Sequence, residues 1–169
     1  MAGTGTAHLR DGDVVLRVED LVVEFPLGRH ATVSAVAGIS FDVLRGETLG
    51  IVGESGCGKT TTGRAIMQIN HPTSGSVVFE GRDLTDLTSE QLREARTKIQ
   101  MIFQDPISSL NPRRKVRDSV KDPLDIWSRG TDDERMEVVD SILEQVGIDP
   151  ARAAESRPHE FSGGQCQRI

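Results

Sequence analysis

Apolar positions that alternate along the chain predict a series of short strands in its first part. Val14 to Phe25 mixes alternation with apolar pairs, and Val33 to Val43 ends in alternating apolar residues (Ile39, Phe41 and Val43), so both stretches are predicted as strands. Thr48 to Val52 is a short apolar run that predicts a buried strand. Ser76 to Glu80 and Lys98 to Phe103 predict two more, so all the expected strands lie before residue 104.

Helices are predicted where apolar residues follow a helical period behind a capping residue. A helix over residues 88–97 begins with a capping box formed by Thr88 and Gln91. Val116 to Trp127 predicts a short helix that is interrupted at Pro123, because proline lacks the backbone N–H that a helix interior needs.

The most regular helical pattern lies near the end of the chain. Thr131 and Glu134 form a second capping box, and the apolar positions behind it keep a helical period (Met136, Val139, Ile142, Leu143 and Val146). Gly147 stands where a helix commonly ends in a left-handed residue, and Asp149-Pro150 is expected to close the helix.

Composition and charge exclude some classes of protein. A length of 169 residues corresponds to about one domain. The net charge of −6 argues against a dedicated nucleic-acid binder, which usually presents a basic face. Residues 1–13 are rich in Gly, Thr and Ala, contain no apolar signal sequence and predict a flexible tail. The two cysteines form no C-x-x-C pair, which favours a reducing, cytosolic setting without a cysteine metal site.

A glycine-rich loop connects the strand predicted at Thr48 to Val52 with a helix predicted from Thr61 to Ile69. Its sequence, Gly53-Glu54-Ser55-Gly56-Cys57-Gly58-Lys59-Thr60, fits the pattern G-x-x-x-x-G-K-[ST] of a phosphate-binding loop. Glycines let backbone amides approach an anion, Lys59 supplies positive charge, and Thr60 offers a hydroxyl to Mg²⁺. The alternative is a glycine-rich turn with a chance Lys-Thr, but the strand–loop–helix setting favours the phosphate site.

Ser162-Gly163-Gly164-Gln165 is the second informative stretch. Ser162 and Gln165 predict a capping box at a helix start. Each glycine in the first helical turn costs about 1 kcal/mol relative to alanine, which makes sense where a ligand must approach the backbone closely. An anion site at this helix start is one interpretation, and an ordinary helix start is the other.

In this order the motifs resemble the nucleotide-binding domain of the ABC transporter family, from about Leu16 to the last residue. They correspond to a Walker A loop at Gly53–Thr60, a Q-loop at Gln104 and an S-G-G-Q signature at Ser162–Gln165. Stretches that resemble the dipeptide/oligopeptide importer branch are Phe25-Pro26-Leu27-Gly28, Gln104-Asp105-Pro106 and Pro158-His159-Glu160-Phe161. The resemblance implies an α/β fold over residues 14–169: a P-loop NTPase core with an N-terminal antiparallel β subdomain and a helical subdomain.

The resemblance also implies roles for individual residues. Phe25 would stack on the adenine ring, with a plain core position as the alternative. Gln104 would act in the catalytic site by sensing the attacking water and Mg²⁺, and would share the metal with Thr60. The signature, Ser162, Gly163, Gly164 and Gln165, would bind ATP held by a second copy of the domain. The implied ATP-binding residues are Phe25, Gly53, Ser55, Gly56, Cys57, Gly58, Lys59, Thr60 and Thr61.

These roles imply a particular assembly. ATP and Mg²⁺ would be the cofactors of an ATPase that works as a head-to-tail pair of nucleotide-binding domains. Its partners would be transmembrane permease subunits and, indirectly, an extracytoplasmic substrate-binding protein, with no nucleic acid. The location would be cytoplasmic and peripheral, on the inner face of the cell membrane. The alternatives are an ABC-type ATPase in nucleic-acid or ribosome-related work and a non-catalytic nucleotide-binding remnant.

The chain departs from the family pattern near its end. Cys166 follows the signature where the importer branch usually has Arg, and Arg157 replaces an aromatic residue. The family's Walker B strand and catalytic Glu follow the signature, whereas this sequence ends at Ile169 within the signature helix. We therefore expect a truncated domain that does not turn over ATP on its own. Cys57 of one copy and Cys166 of another would flank the same nucleotide, so an oxidative cross-link is a further hypothesis.

A predicted loop and a basic cluster follow the last predicted strand. Residues 104–112 contain two prolines and two serines and predict a loop. The cluster of Arg113, Arg114, Lys115 and Arg117 is interpreted mainly as a solvated face, with contact to a partner or to anionic lipid as the alternative.

Overall fold

The described part of the chain forms two units with different secondary structure. The computed structural model describes residues 9–28 and 31–169, without the side chains of residues 106 and 107. The units comprise Met1–Met101 and Ile102–Ile169. All the strands assigned among the described residues lie in the first unit, and those of the second unit contain only helices and loops.

The first unit is built on an antiparallel sheet of β1 (Val14–Leu27), β2 (Ala31–Leu44), β3 (Ser74–Phe79) and β4 (Arg82–Asp83). The strand order is β2-β1-β3-β4, and all three pairings are antiparallel. On β1, Val18 lies opposite both Phe41 of β2 and Val77 of β3, and all three side chains are buried. The strands predicted at residues 14–25, 33–43 and 76–80 are confirmed.

Two short helices pack on this sheet, α1 (Lys59–Ile66) and α2 (Ser89–Ala95). Ala65 of α1 and Ala95 of α2 join the buried cluster around Val18 and Leu21. The helix predicted at Thr61 to Ile69 therefore exists, but it begins two residues earlier and ends three residues earlier. Removing large apolar side chains from water at this sheet contributes roughly 1.5–3 kcal/mol per fully buried residue.

The strands predicted at residues 48–52 and 98–103 are wrong. Both segments are irregular, and Val52 and Ile102 are 92% and 84% exposed. A strand needs neighbours to pair its backbone N–H and C=O groups, and neither segment pairs with another strand among the described residues. An apolar run in the sequence indicates that a segment can be buried, but it does not indicate whether another strand lies beside it. The prediction was wrong for this reason.

The second unit consists of α3 (Pro106–Ser109), α4 (Val116–Ile126), α5 (Asp132–Gln145), α6 (Pro150–Glu155) and α7 (Gly163–Cys166). Its core is formed by Val116, Val139, Leu143, Ile148, Ala153, Phe161 and Cys166. The capping box of Thr131 and Glu134 at the start of α5 is confirmed, and Gly147 follows the helix in the left-handed region at φ 71°. Among the described helices, none has the length and apolar character needed to cross a membrane.

Three boundaries in this unit differ from the sequence prediction. Helix α4 continues through Pro123, because Val120 and Leu124 on either side of it pack against the core and offset the lost hydrogen bond. The segment predicted as a loop at residues 104–112 contains α3. Asp149-Pro150 begins α6 as well as following α5, since the Asp149 side chain accepts from Ala151 N and proline suits the first helical position.

The start of the described chain is tied to the sheet. Residues 1–8 of the predicted flexible tail lie outside the described residues. Arg10 donates from its backbone N to Asp42 Oδ2 at 2.6 Å and from its guanidinium to Glu47 at 2.8 and 2.7 Å. Glu47 also accepts from Leu44 N at 2.8 Å, so this network fixes the turn that precedes the glycine loop.

Candidate functional site

The glycine loop ends at Gly58, which caps the N-terminus of α1. Gly58 has φ 96°, a left-handed conformation that residues with a side chain rarely adopt. A Cβ at this position would lie 2.2 Å from the carbonyl oxygen of Ala35 on β2. The second glycine of the motif is therefore required both by its conformation and by the close approach of the loop to the sheet.

The Lys59 side chain folds back over this loop. Its Nζ donates to the carbonyl oxygens of Gly53 and Glu54, each at 2.7 Å, and lies 3.5 Å from Cys57 Sγ. The loop thus surrounds its own ammonium group. A phosphate oxygen bound here would receive the same hydrogen bonds in place of the two carbonyls.

The start of α1 has the features of an anion site. No side chain caps this end, and no acidic residue stands in the first turn. The first amides of a helix have no partner within it, and the helix dipole favours negative charge at this end. Thr60 is exposed and Thr61 half-buried in this first turn, so an oxygen donor for Mg²⁺ lies beside the amides. The residues present therefore fit a nucleotide phosphate with its metal.

Phe25 lies on the part of the sheet that the loop approaches. It is paired with Val33 of β2, two residues before Ala35, which contacts Gly58. Its side chain is 42% exposed. The alternative that Phe25 is a core residue is therefore wrong, and its ring is available for stacking.

Gln104, assigned by resemblance to the same metal as Thr60, belongs to the second unit. It is exposed and precedes α3, whose first turn is joined to Asp105 by a hydrogen bond from Ser108 N to Asp105 Oδ1 at 3.4 Å. The predicted site residues are thus divided between the units: Phe25 and the glycine loop in the first, Gln104 and the signature in the second.

The signature begins α7 with the predicted capping box. Ser162 Oγ accepts from Gln165 N at 3.3 Å, and Gln165 Oε1 accepts from Ser162 N at 3.0 Å. Gly163 and Gly164 are exposed, and a Cβ at either would meet nothing within 4 Å. Packing among the described residues does not require these glycines, which leaves close approach by a ligand as a reason for them.

Arg152 and Cys166 hold the segment before the signature in place, a role that the sequence did not indicate for either residue. Arg152 lies 4.5 Å from the centroid of the Phe161 ring and donates to Glu160 O at 2.7 Å. Cys166 is 3% exposed and its Sγ donates to Pro158 O at 3.2 Å. This burial argues against the hypothesis of a cross-link with Cys57. No pattern in the sequence marks Arg152, because its contacts depend on how α6 packs.

The basic cluster at residues 113–117 is largely neutralised by neighbouring carboxylates. Arg114 pairs with Asp122 at 2.5 Å, Lys115 with Glu155 at 3.3 Å, and Arg117 with Asp140. The two pairs at the surface, Arg114–Asp122 and Lys115–Glu155, contribute little stability, about 0–1 kcal/mol each. They favour the interpretation of this cluster as a solvated face.

Comparison with known proteins decides the family. The sequence profile described as "ABC transporter" matches residues 36–169. This chain belongs to the ABC transporter family. The oligopeptide transport ATP-binding protein AppF of Bacillus subtilis is 45% identical over 164 residues, 93% of this chain and 50% of that protein. The di/tripeptide transport ATP-binding protein DppF of Pseudomonas aeruginosa is 43% identical over 162 residues, again 93% and 50%.

Solved structures show the same fold. The dimeric, post-hydrolysis structure of the ATP-binding cassette MJ0796 bound to ADP and Pi superposes with a TM-score of 0.79 at 28% identity, covering 90% of this chain and 66% of that one. The family resemblance and the fold class, a P-loop NTPase with an antiparallel β subdomain and a helical part, are confirmed. The chain spans about half the length of the curated relatives that it matches.

Proposed function

We propose that this chain is the ATP-binding, energy-coupling part of an ABC importer for dipeptides or oligopeptides. The observation that carries the proposal is the Gly53–Thr60 loop, which places Lys59 and uncapped amides together at the start of α1. The similarity to AppF, an oligopeptide transport ATP-binding protein, and to DppF, a di/tripeptide transport ATP-binding protein, supports the substrate class.

In this proposal the loop binds the β- and γ-phosphates of ATP. The amides at the start of α1 and the Lys59 ammonium donate to the phosphate oxygens, and Phe25 stacks on the adenine ring. Thr60 would hold Mg²⁺, which when bound neutralises charge on the phosphates. The metal role of Gln104 stays a prediction from the family resemblance. Gly53, Ser55, Gly56, Cys57, Gly58 and Thr61 complete the proposed nucleotide contacts.

The signature would serve a second copy of the domain. Ser162, Gly163, Gly164 and Gln165 present an exposed helix start that would bind the γ-phosphate of ATP held by the partner. The dimeric form described for the MJ0796 cassette supports a paired arrangement. The proposed partners are permease subunits and, acting through them, an extracytoplasmic substrate-binding protein, with no nucleic acid. Contact with the permease subunits would place the chain on the cytoplasmic face of the cell membrane.

Binding of Mg-ATP to the purified chain tests this function. We expect Lys59→Met to weaken binding about tenfold to a hundredfold, because a charge-assisted hydrogen bond to an ionised oxygen is lost. Lys98→Met is the matched control: Lys98 is a lysine of the same unit that pairs with Glu80 at 2.9 Å. Calorimetric titration that shows equal affinity for the two variants would contradict the assignment of the loop.

The same preparation addresses ATP turnover by the 169 residues as an isolated polypeptide. Phosphoryl transfer in such sites needs a metal-bound carboxylate and a residue that orients water. The resemblance places the family's catalytic Glu after the signature, so we propose that this polypeptide binds ATP without hydrolysing it. Phosphate release clearly above the rate of the Lys59→Met variant would contradict this proposal.

A further inference from the structure

The C-terminal end of α1 is closed by an unusual arrangement. Ile69 N donates to Arg64 O and Gln68 N to Ala65 O, each at 2.9 Å, which is the Schellman pattern. The left-handed residue of that pattern is commonly glycine, but here it is Gln68 at φ 52°. The Gln68 side chain is 8% exposed and its Nε2 donates to Ala65 O at 2.8 Å. A strained residue of this kind persists only where its surroundings hold it.

Arg96 supplies the remaining contacts at this end. Its guanidinium donates to Gln68 O at 2.9 Å and to Met67 O at 3.3 Å. Arg96 is also the C-cap residue of α2, with its backbone N bonded to Leu92 O. One cation therefore joins the ends of both helices, at the end of α1 where the helix dipole favours positive charge.

Arg96 and Met101 approach α1 at different points along its length. Arg96 contacts Met67 and Gln68 beyond the end of the helix, whereas Met101 Cε would lie 3.6 Å from a Cβ at Gly63, near its middle. Side chains at both ends of residues 96–101 thus meet α1, one beyond its C-terminal end and one near its middle. Their position on the helix is fixed at one end by the Arg96 hydrogen bonds.

We propose that Arg96 is a positioning residue for the phosphate-binding loop, an inference that rests on the function proposed above. Helix α1 has 8 residues and is about 12 Å long, so it moves as one piece. Fixing its C-terminal end therefore orients the Gly58, Lys59 and Thr60 amides at its other end. Arg96 does this without touching the nucleotide.

The test is Mg-ATP affinity measured at 10 °C on variants shown to be folded by circular dichroism. We expect Arg96→Met to weaken binding about fivefold to tenfold, because two carbonyls lose a charged donor. Arg96→Lys, which keeps the charge and can reach one carbonyl, should recover part of the affinity. Arg96→Gln, which keeps a donor without charge, carries the test if the Met variant does not fold.

Arg82→Met is the matched control, because Arg82 lies in the same unit and forms a long surface ion pair with Glu94 at 3.8 Å. A residue that merely stabilises the fold would lower the urea midpoint of Arg96→Met and leave the affinity of the folded protein unchanged. Affinity within twofold of the Arg82→Met control would overturn the inference while leaving the proposed function in place. Absence of Mg-ATP binding by the unmodified chain would instead overturn the proposed function, and the inference with it.

Discussion

The three glycines of the Gly53–Thr60 loop meet different physical requirements. Gly58 combines φ 96° with a position where a Cβ would lie 2.2 Å from a backbone carbonyl of β2. Gly56 has φ 84° but faces open space within 4 Å. Gly53 has no left-handed φ, and a Cβ there would lie 2.4 Å from the Cys57 side chain, which has a rotatable bond. Only at Gly58 do conformation and backbone contact both forbid a side chain.

Alanine substitutions separate these requirements. Gly56→Ala should cost about 1–2 kcal/mol of unfolding free energy, the cost of the left-handed conformation alone. Gly58→Ala should cost at least about 1 kcal/mol more than that, because the Ala35 carbonyl must also move. Urea unfolding of the two variants measures the difference, and equal midpoints would show that the contact with Ala35 does not constrain the loop.

Helix starts illustrate what is decided at the level of single elements. Capping boxes at Thr88, Thr131 and Ser162 are all present where the sequence predicted them. Each depends on groups within four residues, so the local sequence contains the whole interaction. Helix α4 shows the opposite case, because its passage through Pro123 depends on core residues contributed by α5 and α6.

The capping box at the start of α5 makes a measurable contribution to the stability of the chain. Thr131 Oγ1 accepts from Glu134 N at 3.3 Å and donates to Glu134 Oε2 at 3.0 Å, and Glu134 Oε2 accepts from Thr131 N at 2.7 Å. Thr131→Ala should therefore destabilise the chain by about 1 kcal/mol in chemical unfolding. Thr131→Ser keeps the hydroxyl and should recover most of this loss; equal destabilisation by Ser would point to the lost methyl group instead.

At the scale of the whole molecule, both units contain carboxylates that are stabilised in their charged form. A hydrogen bond from the Arg10 side chain lowers the pKa of Glu47 from 4.5 to about 2, and the Arg17 side chain lowers the pKa of buried Asp42. In the second unit, hydrogen bonds from Arg135 and from Thr131 N lower the pKa values of Asp125 and Glu134. Acid should therefore weaken both units.

The direction of the pH dependence of stability follows from the direction of these pKa shifts. A carboxyl group whose pKa is lower in the folded state contributes stability above its unfolded pKa, and this contribution is lost as the pH falls towards the folded pKa. The urea midpoint should therefore decrease as the pH is lowered from about 5 to about 2. Arg10→Met, which returns the pKa of Glu47 towards 4.5, should make this decrease shallower. An unchanged slope in that variant would show that Glu47 does not contribute.

The sequence by itself determined the local features of this protein. The turn of the glycine-rich loop into α1, the three capping boxes and the first β-hairpin strands depend on residues close together in the chain, or on patterns that few other structures produce. The family resemblance, drawn from the same motifs, also held. These features need no knowledge of what lies across the fold.

Tertiary structure alone decided which apolar runs became strands and what holds the loop in place. Residues 48–52 have a strand-like composition but no pairing partner in the described chain, and strand formation depends on that partner. The contact of Gly58 with Ala35 joins residues 23 positions apart in sequence, and that of Arg96 with Gln68 joins residues 28 apart. Neither contact has a local sequence signal, because each exists only once separate elements have packed.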